Sequence, residues 1–89
     1  MKVMFFAYIR DYTKCKEMDI DNCSTIEDLL HSLCEIYGEK FSRKVFVGED
    51  ISGEIIILIN GRHIAHLKGA KSELRGEDEI SIFPVVAGG

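Results

Sequence analysis

The sequence contains none of the short motifs by which a chain carries out nucleotide or metal chemistry alone. It has no GxxxxGKS or GxxxxGKT loop for phosphates, no GxGxxG turn for a dinucleotide and no HExxH pair for zinc. Basic excess is also missing. Eleven lysines and arginines face fifteen acids, for a net charge of −4, so the phosphate backbone of a nucleic acid is not an expected ligand. Cysteine is sparse: Cys15, Cys23 and Cys34 are odd in number and form no CxxC pair. That argues against a disulfide-stapled secreted scaffold and predicts a reducing, cytoplasmic setting. Long hydrophobic runs are absent as well. The apolar stretch Val3 to Ile9 stops at Arg10-Asp11 with no small-residue cleavage site behind it, and nothing approaches membrane-spanning length. No signal peptide and no membrane contact are expected.

What is present is enough for one domain. Eighty-nine residues, 46% hydrophobic and 29% charged, read as one globular unit with one modest core. Val3 to Ile9 reads as a strand and Asp11 to Lys16 as a turn. Glu17 to Asp21 alternates at period two, as a half-buried strand does. The clearest helix follows. Ser24-Thr25-Ile26-Glu27 has capping-box spacing, with Thr25 as a rival cap. Ile26, Leu29, Leu30, Leu33, Cys34 and Tyr37 then form one apolar stripe, and Gly38 supplies the stop. Glu39 to Gly53 is less regular, with Phe41, Val45 and Phe46 placed for a short helical turn. Ile55 to Ile59 reads as a buried strand, Asn60-Gly61 as a hairpin turn, Arg62 to Ile64 as its short return and Glu79 to Phe83 as the last strand before Pro84. The predicted fold is α+β, with one main helix on one face of a small mixed sheet.

A sheet so covered has one apolar face too many. In the first strand Val3, Phe5, Ala7 and Ile9 point one way and Met4, Phe6 and Tyr8 the other. Ile80 and Ile82 share one side of the last strand, and Phe83 lies opposite. If the helix covers the odd-numbered set, Phe6 and Phe83 remain showing and make a partner surface. The alternative is that Glu39 to Gly53 folds across that face.

The sequence closes Phe83-Pro84-Val85-Val86-Ala87-Gly88-Gly89. Five residues beyond Pro84 reach roughly 17 Å when fully extended. Two glycines without Cβ atoms can thread a narrow channel. The carboxylate of Gly89, ionised at neutral pH with a reference pKa of about 3.3–3.7, can attack the α-phosphate of ATP in a partner's active site. A persulfide or an amine can then take the acyl group. Taken alone, two terminal glycines read better as an idle flexible end.

Three stretches carry a resemblance: Val3 to Arg10, Ile59-Asn60-Gly61-Arg62, and Gly76 through the Phe83-Pro84 pair to Gly88-Gly89. They resemble the small subunit of molybdopterin synthase, the MoaD-type members of the ubiquitin-like β-grasp family. The resemblance implies a β-grasp domain over 1–84 and a flexible tail over 85–89. It implies that Gly89, with Gly88 giving passage, is adenylated by a ubiquitin-activating-like adenylyltransferase and converted to a thiocarboxylate. It further implies a persulfide sulfur donor and delivery of sulfur to the large synthase subunit for the molybdopterin or tungstopterin dithiolene. ATP and magnesium belong to the activating partner; this chain binds no cofactor and no metal, and is non-catalytic alone. Phe6, Arg10 and Phe83 match docking positions, and Pro84, Val85, Val86 and Ala87 are the expected tail contacts. Val85 stands where the family often has a second proline, and His63 where it is often apolar. A ubiquitin-like modifier joined to lysine, or a thiamine-pathway sulfur carrier, would use the same Gly-Gly end. His63 and His66 read as a surface pair without a third ligand, Cys34 as core packing, and Cys15 and Cys23 as exposed thiols.

Overall fold

A computed structural model of the chain describes residues 1–85. The sheet is built around two parallel neighbours, β1 (Lys2–Phe5) and β7 (Glu79–Pro84), paired from Lys2↔Glu79 to Phe5↔Ile82. β2 (Glu17–Asp19) runs antiparallel on the outer side of β1, and β5 (Ile55–Ile59) antiparallel on the outer side of β7. β6 (Arg62–His63) returns beside β5. The strand order is therefore β2-β1-β7-β5-β6. Asn60 and Gly61 make the hairpin turn at φ of 51° and 84°, the positive values that this dipeptide tolerates.

The main helix, α2 (Ile26–Tyr37), lies across one face of the sheet. Its Ile26, Leu29, Leu30 and Leu33 form one fully buried core with Val3, Phe5, Ile57, Ile80 and Ile82. Truncating any one of these aliphatic helix side chains to alanine removes about 2–5 kcal/mol from a well-packed core. This is the expected ubiquitin-like β-grasp arrangement, with two shorter helices added.

Several local expectations are corrected. The first strand ends at Phe5 rather than Ile9, because Ala7 takes a positive φ of 52° and turns the chain. Ile9 therefore enters the core from a short helix, α1 (Ile9–Thr13), which replaces most of the expected turn. α2 starts on Thr25: its hydroxyl accepts from Asp28 N–H, and the Asp28 carboxylate accepts from Thr25 N–H, each at 3.2 Å. Ser24 instead flanks a strand-like bridge between Thr25 and Glu73, its carbonyl accepting from Leu74 N–H at 2.9 Å. Glu39 to Gly53 forms α3 (Glu39–Val45) and a small hairpin of β3 (Phe46–Val47) and β4 (Asp50–Ile51). α3 packs on the helix side of the sheet. Its Phe41 stands edge-on to Phe5, with centroids 6.5 Å apart, so the alternative in which this segment crosses the Phe6–Phe83 face does not hold. The last strand runs one residue further than expected, to Pro84. Its missing amide would have faced the side where β1 has already ended, so no ladder bond is lost.

Candidate docking face and tail anchor

The sheet face opposite α2 carries Met4, Phe6, Ile56, Leu58 and Phe83, all half-buried. The ladder sets them side by side, with Met4 beside Ser81, Ser81 beside Leu58, and Ile56 beside Phe83. Phe6 and Phe83 stack with centroids 4.3 Å apart and planes 9° from parallel. The stacked pair forms one apolar platform, held in place because Phe83 lies within β7 and Phe6 follows directly on the end of β1. Phe6 stays in register through its N–H, which donates to the Ile82 carbonyl at 3.1 Å.

Arg10 frames this platform. The Ala7 turn and α1 bring it back over the end of β1, where its Nε donates to the Phe5 carbonyl at 2.8 Å. Its guanidinium carbon lies 5.9 Å from the Phe6 ring centroid, at the outer limit of a cation–π contact. Among the described residues its other guanidinium nitrogens meet no carboxylate.

β7 ends at the adjoining corner. Pro84 is buried opposite Ile55, and Val85 N–H donates to the Glu54 carbonyl at 2.7 Å. Glu54 is held in turn by the Lys44 ammonium at 3.2 Å, which also sits 4.9 Å above the Tyr8 ring. Hydrogen bonding to Glu54, then to Tyr8, raises the Lys44 pKa above its ordinary value. Lys44 of α3 thus straps Glu54, whose carbonyl holds Val85 at the end of β7.

A model of the ThiS family matches residues 3–89. The chain belongs to the ThiS family. As a member of this family of ubiquitin-like sulfur carriers and modifiers, it is similar over its whole length to small archaeal modifier protein 3 of Haloferax volcanii. The two are 34% identical over 91 residues, covering 100% of this chain and 98% of that protein. The solution structure of small archaeal modifier protein 1 from Methanosarcina acetivorans superimposes with a TM-score of 0.87 at 35% identity, covering 99% and 94% of the two chains. A Pyrococcus furiosus structure, provisionally described as molybdopterin converting factor subunit 1, gives a TM-score of 0.77 at 28% identity, covering 96% and 95%.

Of the residues singled out in the sequence, Phe6, Arg10 and Phe83 come together on one face of this ThiS-family fold, and Pro84 and Val85 lie at its corner. Val86, Ala87, Gly88 and Gly89 lie outside the described residues. Sequence reasoning missed the Lys44–Glu54–Tyr8 strap, whose members are far apart in the chain and individually unremarkable. It also missed Ile56 and Leu58 on the open face, because five consecutive aliphatics conceal which two point outward. Cys23 is buried rather than exposed, closed in between the Asp21 carbonyl and Ser32.

Proposed function

We propose that this chain is a ubiquitin-like modifier whose Gly89 carboxylate is activated on a partner enzyme and passed to a lysine of another protein. What carries this reading is the full-length likeness to the modifier of Haloferax volcanii. A carboxylate oxygen of Gly89 attacks the α-phosphorus of ATP, held with magnesium by an adenylyltransferase of the ubiquitin-activating kind, and pyrophosphate leaves. A lysine amine then attacks the acyl carbon, AMP departs, and the amine proton passes to solvent or a base. The chain's own share is positional. The stacked Phe6 and Phe83 give the partner an apolar anchor, Arg10 a polar one, and Pro84 to Ala87 lie along the channel that Gly88 and Gly89 thread.

A second reading is favoured by the 28%-identical Pyrococcus furiosus chain together with the Phe83-Pro84 and Gly88-Gly89 pairs. In it a persulfide attacks the same adenylate, AMP leaves, and a second thiol cleaves the sulfur–sulfur bond to give the thiocarboxylate. The large subunit of molybdopterin synthase would then draw sulfur from it for the dithiolene.

Both readings are tested by mass spectrometry of the C-terminal peptide from protein purified out of its native cells. We expect Gly89 joined to a lysine side chain. Exchange of one Gly89 oxygen for sulfur, with no lysine adduct, would favour the carrier reading instead. An unchanged carboxylate after incubation with the activating enzyme, ATP, magnesium, a lysine-bearing acceptor and a persulfide would remove both.

A further inference from the structure

A second concave surface lies on the edge of the sheet remote from β2. The β3–β4 hairpin, the start of β5 and two single 3-10 turns, Ile64–His66 and Gly69–Lys71, enclose a groove of about 630 Å³. Its lining includes Ile51, Ile55, Ile57, Ile64 and Ala70. The rim is acidic. Lys71 pairs with Glu27 at 3.5 Å, while the exposed Glu49 and Asp50 on the hairpin have no cation partner among the described residues.

The groove also borders a partly open sheet edge, on which Ile55 N–H already donates to the Ser52 carbonyl at 3.4 Å. β6 pairs only with Leu58 and Ile59. Alongside Ile55 to Ile57, β5 therefore has β7 on one side and, among the described residues, no strand on the other. Such an edge is a template for an added extended segment. Val85, 44% exposed, lines the same groove.

We propose that this groove seats an extended segment of the protein that receives the modifier, aliphatic at its centre and lysine-bearing at its flanks. The proposal depends on the modifier reading above. The apolar floor selects aliphatic side chains, the strand edge selects an extended backbone, and the unpaired Glu49 and Asp50 attract cations while repelling an acidic segment. Position supplies the link to chemistry. Val85 lines the groove, and the four residues beyond it span up to about 13–14 Å, a length that lets Gly89 meet a lysine flanking the seated stretch. Seating raises the effective concentration of that amine at the acyl carbon. The Phe6–Phe83 platform, whose rim cation is Arg10, would not favour a basic segment.

The test uses the full-length, isotope-labelled chain and a synthetic peptide of three isoleucines flanked by two lysines on each side. We expect amide shift changes confined to Glu49–Ile57, Ile64 and Ala70. Affinity should drop at least about fivefold in the E49Q/D50N double variant, both positions being exposed, and at least about tenfold when glutamates replace the peptide lysines. Shifts centred on Phe6 and Phe83, equal affinity for the two peptides, or self-association of the chain without peptide binding would each overturn the proposal. Binding here needs no activated tail, so a failure to find Gly89 on lysine would remove the modifier reading while leaving this measurement legible.

Discussion

Tyr37 joins three parts of the chain through one oxygen. Its hydroxyl donates to Met18 Sδ at 3.2 Å and lies 3.3 Å from Cys15 Sγ, while its ring stands edge-on to Phe5. Burial, then the Cys15 hydrogen bond and charge, push the phenol from its ordinary 10.0 up to about 12. Between those values the native state keeps a proton that the unfolded chain has released. Stability should therefore be intact below pH 10 and fall as pH climbs from about 10 towards 12. Tyr37→Phe should flatten that fall, which urea midpoints of both proteins at pH 9 and pH 11.5 will show; parallel declines would defeat the argument. From the sequence Tyr37 is one more apolar position on a helical stripe. Its partners stand 19 and 22 residues away, and no periodicity reveals them. Cys34 follows its reading more closely: burial raises its thiol pKa, against a smaller opposing effect from a Ser42 hydrogen bond.

Helix ends and strand ends are where tertiary contacts chose among local options. Ser24 can cap a helix beginning at Thr25 and Thr25 one beginning at Ile26, and the sequence offers Glu27 to the first and Asp28 to the second. The bridge between Thr25 and Glu73, with Leu74 N–H on the Ser24 carbonyl, settles it for Thr25. Thr25→Ala should cost about 1 kcal/mol of unfolding free energy, while Ser24→Ala should stay within about 0.5 kcal/mol. Chemical denaturation of the two variants would return the cap to Ser24 if their order were reversed. The same logic shortens β1. Val3 to Ile9 has the composition of one strand, yet Arg10 Nε on the Phe5 carbonyl favours a turn and brings Ile9 into the core. Asn60-Gly61 needed no such arbitration, and the tertiary structure only reinforces it: Asn60 Nδ2 donates to the Asp78 carboxylate and its Oδ1 accepts from Glu79 N–H, each at 2.9 Å.

At the scale of the molecule, a small sheet with helices on one side leaves an apolar face for another protein. Phe83→Asp should lower affinity for the adenylyltransferase we propose as activating partner by roughly 30-fold or more, the loss of a hot-spot contact of about 2 kcal/mol. The fold should survive, since losing the half-exposed Phe6 stack costs about 0.5–1.5 kcal/mol. Titration calorimetry with a thermal melt checks both parts, and unfolding of the variant would make Phe83 a structural residue instead. By itself the sequence determines the order of the main elements, the buried stripe of α2, the hairpin turn and the existence of two apolar faces on β1. These follow from local periodicity and turn chemistry, which neighbours in the chain decide among themselves. Only the tertiary structure decides which face α2 and α3 cover, that Phe6 stacks on Phe83, and that Lys44 straps Glu54 beside the departing tail. Alternation marks two faces of a strand but carries no sign for inside or outside; that sign comes from the sum of contacts between residues far apart in the chain.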